Sequence, residues 1–317
     1  MVAVLVPRMA DLVDHRRLSI WSARKGVREA LAGALGLALA AAAGPAFSEE
    51  ANRSATHIVS IGGAVTEILY ALGAQERIVA TDTTSIYPPE ADGLPKVGYM
   101  RQLAAEGVLS VKPDLILAVE GSGPQSVLSI LEESAVPIEI IADDQTPDGV
   151  LKKIEAVGTA VGKEAEAKVL EAEVAAGFAA LAEEVAAVPQ SDRKKVLFVL
   201  SLANGKAMVG GAESSADAMI TLAGGINAAS GISGFKPMTD EAVIAAEPDV
   251  ILVMQTSNHA LDAETVFALP AFKATPAAES RAFISMGGNY LLGFGPRAAQ
   301  AARDLAAKLY PGRIASQ

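Results

Sequence analysis

Apolar residues gather in short dense runs, separated by stretches where they recur every three or four positions. Four runs read HIVSI (57–61), DLILAV (114–119), KVLFVL (195–200) and DVILVM (249–254). Each is short and rich in Val, Ile and Leu, the pattern of a strand buried on both faces of a sheet. Two of them open on Pro113-Asp114 and Pro248-Asp249, where proline ends the helical pattern before it. The segments further upstream also match. Thr66-Glu67-Ile68-Leu69-Tyr70-Ala71-Leu72-Gly73 parallels Ala216-Asp217-Ala218-Met219-Ile220-Thr221-Leu222-Ala223-Gly224, each a short helix closed by glycine.

Each half therefore predicts strand, Gly-rich turn, helix, strand, helix, Pro-Asp turn, strand. Strands alternating with helices imply parallel-type sheets covered on both faces. Between the halves, Leu170, Val174, Phe178, Leu181, Val185 and Val188 form one apolar stripe in a segment rich in Ala, Glu and Lys. Residues 163–188 are expected to form one helix, a rod about 39 Å long at 1.5 Å per residue. The expected fold is α/β: two Rossmann-like lobes, 49–162 and 189–317, joined by that single long helix, with a ligand cleft between them. In open α/β sheets ligands lie beyond the carboxyl ends of the strands. That directs attention to the loops 82–99, 201–211, 231–239 and 287–295.

The first 48 residues read differently. Arg8, Arg16, Arg17, Arg24, Lys25 and Arg28 precede an apolar run from Ala30 to Gly44, and Pro45-Ala46-Phe47-Ser48 follows it. The run is about 15 residues long, short of the ~20 that span a bilayer. A basic region, an apolar region and small residues at a cleavage point together predict a secretory signal peptide cut near Ser48, and hence export to the periplasm. Without it the chain keeps twenty basic and 34 acidic residues, a net charge of −14. Such a surface repels nucleic acid.

Candidate chemistry is sparse. The chain has no cysteine and only three histidines, His15, His57 and His259, with no metal-ligand spacing among them. No nucleophile elbow, phosphate-binding loop or full dinucleotide fingerprint is present, so an enzyme is not expected. The cleft loops offer instead tyrosines, glycines and scattered cations: Thr84-Ser85-Ile86-Tyr87-Pro88-Pro89, Tyr99-Met100-Arg101, Gly234-Phe235-Lys236-Pro237-Met238 and Tyr290. That set suits a large, flat, mostly apolar anion. Any one of these tyrosines also reads as a packed ring with a bonded hydroxyl.

The string DTTSIYPPEADGLPKVGYMRQLAAEGVLSVKPDLILAVEGSG (82–123) resembles the haem-binding proteins of bacterial ABC importers. The similarity continues at Ala223-Gly224-Gly225-Ile226-Asn227, Phe235–Ala242, Thr275-Pro276-Ala277 and Leu291–Arg297. The resemblance implies haem as the transported ligand, Tyr87 as the haem-iron ligand, and a periplasmic monomer that hands haem to an inner-membrane permease and its ATPase. It implies that Arg101 or Lys236 faces the phenol or the propionates, and the sequence leaves both open. Tyr99, Tyr290 and Met238 are expected around the ligand. The turn 201–208 has neither His nor Tyr, so a second haem ligand is not expected there. The resemblance also implies docking on the permease through one carboxylate per lobe, expected at Glu67 and Asp217 on exposed helix faces. A siderophore or cobalamin carrier of the same fold would dispense with Tyr87, and a two-lobed chelatase would need a His or carboxylate set in the cleft.

Overall fold

The computed structural model describes residues 52–203, 206–255 and 261–315. The segment read as a signal peptide, 1–48, lies outside the described residues, as does His259.

The first half runs β1 (Ile58–Ile61), α1 (Gly63–Ala71), β2 (Ile78–Thr81), α2 (Pro89–Asp92), β3 (Gly98–Tyr99), β4 (Gln102–Leu103), α3 (Ala105–Ser110), β5 (Leu115–Val119), α4 (Gln125–Glu132), β6 (Ile138–Ile141) and α5 (Pro147–Ala160). Its main sheet has the order β2-β1-β5-β6, and every pairing is parallel. Helices pack on both faces, so Ile58, Val59, Ile61 and Leu115 to Ala118 are fully buried. That is why these strands read as unbroken apolar runs rather than alternating ones.

A long helix, α6 (Glu164–Ala186), follows. Ala167, Val174, Phe178, Leu181 and Val185 are its buried face, the predicted stripe, with Leu170 half-buried beside it. The helix packs against α5 on one side and against α7 (Ser215–Leu222) and α13 (Ala298–Leu309) of the second half on the other. Arg303 of α13 reaches Glu184 at 3.1 Å.

The second half runs β7 (Lys195–Ala203), β8 (Lys206–Gly210), α7, β9 (Ile226–Asn227), β10 (Phe235–Met238), α8 (Asp240–Ala246), β11 (Val250–Gln255), α9 (Ala263–Ala268), α10 (Pro270–Lys273), α11 (Pro276–Glu279), β12 (Phe283–Gly287), α12 (Gly288–Leu292) and α13. Its sheet has the order β10-β8-β7-β11-β12, with β9 beside β7. Here the structure departs from the expected parallel-type sheet. The pairings of β7, β9, β11 and β12 are parallel, but β8 runs antiparallel to β7 and β10 antiparallel to β8. The described residues of the segment expected as a cleft loop, 201–211, lie at the end of β7 and along the antiparallel strand β8. Antiparallel neighbours need no crossover helix, so β7 can turn straight back on itself.

The Pro-Asp repeat has a physical cause. The Asp114 carboxylate accepts backbone N–H bonds from Thr56 and His57, both at 2.8 Å, and Asp249 accepts one from Lys195 at 2.8 Å. In each half the aspartate clips the start of the neighbouring central strand. Burial works to raise the Asp114 pKa, but the bonds from Thr56 and His57 outweigh it and hold the carboxyl below the usual range. Among the described residues, no helix is long and apolar enough to cross a membrane.

Candidate functional site

The loop after β2 is built around a buried carboxylate. Asp82 is fully buried. Its Oδ1 accepts from the Gly62 N–H (2.9 Å) and from the hydroxyls of Thr84 (3.0 Å) and Ser85 (2.9 Å), and its Oδ2 from the Thr84 N–H (2.9 Å). Gly62 has φ of 104°, and a Cβ there would enter the Val119 side chain. Behind Asp82, hydroxyl bonds of 2.7 Å link Ser60 to Thr66 and Thr66 to Ser85. A buried charge is tolerated when it is hydrogen-bonded this fully.

Lys96 braces the loop from the other side. Its three donors reach the Ser85 carbonyl (2.7 Å), the Ala91 carbonyl (3.0 Å) and the Thr81 hydroxyl (3.0 Å). Burial lowers the Lys96 pKa, against the opposing pull of Asp92 and Asp82. Tyr87 lies between these anchors, at a cis peptide bond to Pro88. Its side chain is 40% exposed, next to Ile86 at 51%. The Thr83 N–H donates to the Gly98 carbonyl at 2.9 Å and ties the β3–β4 hairpin alongside. That hairpin carries exposed Tyr99, whose hydroxyl takes a long 3.5 Å bond from Arg101.

The other half contributes the segment 288–297. The Arg297 guanidinium lies 3.4 Å from the centre of the Tyr87 ring and 4.9 Å from that of Tyr290. Its Nε and an Nη donate to the two oxygens of Glu67 at 2.9 and 2.6 Å. Asn289 donates to the Thr84 carbonyl at 3.0 Å, its amide so close to Gly63 that a Cβ there would collide with it. Lys153, fully buried and paired with Asp143, donates to the Phe294 carbonyl at 3.2 Å. Burial pushes the Glu67 carboxyl up while Arg297 pulls it down, and burial is the stronger. For Arg297, burial pulls the pKa down but the bonds to Glu67 outweigh it and raise it.

The expected site residues thus sort into groups. Tyr87, Tyr99 and Arg101 belong to one tethered unit, and Tyr290 joins it through Arg297. The Tyr290 hydroxyl donates to Asp304 at 2.8 Å, and burial, then Asp304, pushes its pKa well up, so it stays a neutral phenol. Lys236 lies exposed on β10 and takes no part in the contacts at Tyr87. Met238, expected in the cleft, is 7% exposed and packs in the core with Ala207 and Val209 of β8 and Val243 of α8, the one buried residue of β10. Glu67, expected on an exposed face for docking, is also 7% exposed and spent on Arg297. Asp217 is half-buried and accepts from the Asn227 amide at 2.9 Å and the Glu213 N–H at 3.3 Å. Asp82, Lys96 and Arg297 were not singled out from the sequence. The Asp-Thr-Thr-Ser run before Tyr87 and the Gly-Pro-Arg turn were their only traces.

This arrangement offers a fixed, exposed phenol edge among apolar and cationic side chains, suited to a hard Lewis-acidic centre in a flat anion. Among the described residues no group of three or more His, Cys, Asp or Glu side chains could hold a bare metal ion. A hollow of about 540 Å³ lined by Tyr70, Gln75, Glu76, Ile78, Glu90 and Leu94 shares no residue with the site, and its acids would repel an anion.

The periplasmic heme-binding protein RhuT from Roseiflexus sp. RS-1, in apo form, has 38% identity and a TM-score of 0.77, over 82% of this chain and all of that one. The periplasmic heme-binding protein HutB of Vibrio cholerae has 36% identity and a TM-score of 0.72, over 81% of this chain and 99% of that one. An uncharacterized ABC transporter substrate-binding lipoprotein of Bacillus subtilis, YvrC, is 28% identical over 256 residues, 80% of each chain. The model of one family, the periplasmic binding proteins, matches residues 58–290, from β1 to Tyr290. The chain belongs to the periplasmic binding protein family.

Proposed function

We propose that this protein binds haem in the periplasm through a Tyr87–iron bond and delivers it to an inner-membrane ABC importer. The observation that carries the reading is the state of Tyr87. Its loop is braced by buried Asp82 and Lys96, its ring is covered by Arg297, and among the described residues no hydrogen bond engages its hydroxyl. The hydroxyls of Tyr290 and Tyr310, by contrast, are bonded to Asp304 and to the Gly224 carbonyl.

The residues fit haem. A phenolate is a hard anionic donor for ferric iron, and Tyr ligation of haem has precedent. Ile86 and the Tyr99 ring supply apolar contact for the porphyrin. Arg101 and Lys236 supply charge for the propionates. The two haem-binding structures, similar over nearly their whole length, support the choice of haem. The Bacillus relative supports the ABC importer as partner.

Docking needs one exposed carboxylate on each half. Burial removes Glu67 from that role. Glu106 and Glu241 meet the requirement: each is exposed, in the first turn of its helix, seven residues ahead of the proline of the Pro-Asp repeat.

Titration of the purified protein with haemin tests the reading, with cyanocobalamin as competitor. A saturable one-to-one Soret change that cobalamin does not displace is expected. Cobalamin binding without a haem response would make the chain a corrinoid carrier of the same fold.

A further inference from the structure

We propose that Glu67 is a positioning residue for Tyr87: it holds Arg297, which comes from the other half of the chain, over the Tyr87 ring, and so fixes the direction in which the phenol meets iron. The inference rests on Tyr87 as the haem ligand.

The bonds described for Asp82 and Lys96 reach Ser85 and Ala91 on either side of Tyr87, and none of them goes to Tyr87 itself. The described contact that sets the ring itself is the guanidinium at 3.4 Å from its centre, which is van der Waals distance. A cation over a ring face is attracted to it, and it also closes that face to anything else. The ligand must then approach the hydroxyl from the open side.

Arg297 in turn does not hold itself there. Both of its bonded nitrogens point to Glu67, one to each carboxylate oxygen, so the planar fork has one orientation. Glu67 is buried, and the carboxylate bonds described for it both come from Arg297. A buried carboxylate at the face of a helix is costly to keep, and a nonpolar residue would serve α1 packing better. Its place in the molecule is explained by what it holds. The sequence separation of 230 residues between the two makes the pair a clamp between the halves of the chain, with Tyr87 on one jaw.

The test compares wild type with Glu67→Gln, Glu67→Asp and Arg297→Lys, all as full chains loaded with haemin. Two quantities are read: the rate of haem loss to excess apomyoglobin, and the ferric electron paramagnetic resonance spectrum. With Glu67→Gln, haem is expected to leave about five- to tenfold faster, in line with the loss of a partly desolvated cation–ring contact. The single high-spin signal should split into several species as the ring samples several directions. Glu67→Asp, which keeps the charge, should restore part of both. The decisive comparison places Glu67→Gln in a Tyr87→Phe background, where it should no longer change haem loss. If Glu67→Gln lowers thermal stability but leaves the rate and the signal as in wild type, Glu67 is structural only. The same conclusion follows if its effect persists undiminished without the Tyr87 hydroxyl. No saturable haem binding by wild type would overturn the haem reading itself, and this inference with it.

Discussion

Glu67 and Asp217 occupy matched places in the two halves of the chain, yet the structure uses them differently. Glu67 is buried and reaches across to Arg297; Asp217 is half-exposed and satisfied locally by Asn227 and Glu213. The Pro-Asp turns, matched in the same way, keep one role: Asp114 holds the N–H groups of Thr56 and His57 just before β1, and Asp249 holds that of Lys195 at the start of β7. The repeat thus preserves what the scaffold needs in both halves and frees the rest. Tyr87 has no counterpart: the loop after β9, which matches the loop after β2, carries no tyrosine.

The largest expected effect comes from breaking the asymmetric pair. Arg297→Ala leaves a buried carboxylate without a partner and should destabilise the protein by about 3 kcal/mol. The corresponding Asp217→Ala should cost only about 1 kcal/mol, the worth of a local bond. Urea unfolding of both variants measures the gap, and equal losses would erase the distinction. Next comes Asp82→Asn. An amide cannot accept at all the positions where Asp82 meets only donors, so a loss of about 2 kcal/mol is expected, together with weaker haem retention through a loosened Tyr87 loop. Hydrogen exchange at Thr84 and Ser85 reports the loosening directly.

A smaller effect concerns pH. The Asp114 carboxyl is held below its ordinary value, so the native state binds fewer protons there than the unfolded chain. Its stabilisation is present in full above the ordinary aspartate value of ~3.9 and is lost as pH falls through the lower native value. Asp114→Asn should therefore be less stable than wild type at neutral pH, and the two should converge in acid. A stability gap that stays constant down to acid pH would contradict the clip. The smallest effect on haem binding belongs to Glu106→Lys and Glu241→Lys. Both should bind haem as wild type does while losing uptake through the importer in a reconstituted assay.

The scaffold was legible because it is periodic. Central strands buried on both faces leave dense apolar runs, and the stripe from Leu170 to Val185 could only be one helix face. The β8 strand was not, because Lys206 to Gly210 mixes polar and small residues on an antiparallel arm and mimics a loop. Tyr87 stood out through its Ser-Ile-Tyr-Pro-Pro setting. Its supports did not. Glu67 and Arg297 are separated by most of the chain, and a single long-range ion pair leaves no period to read. Lys153 sits within a helix of ordinary amphipathic appearance, and only the fold shows it buried against the Phe294 carbonyl. Met238 sits among Gly234, Lys236 and Pro237, which read as a loop, and only the packing against β8 and α8 shows it buried.

On the proposed reading Tyr87 is the iron ligand, presented by a braced loop and a clamp from the other half of the chain. Resonance Raman spectra of the ferric haem complex, excited in the phenolate charge-transfer region, test it most directly in wild type and Tyr87→Phe. Phenolate ring and iron–oxygen modes in the wild type, absent from Tyr87→Phe, are the predicted result. Phenolate modes that survive in Tyr87→Phe, or that are missing from the wild-type complex, would contradict it.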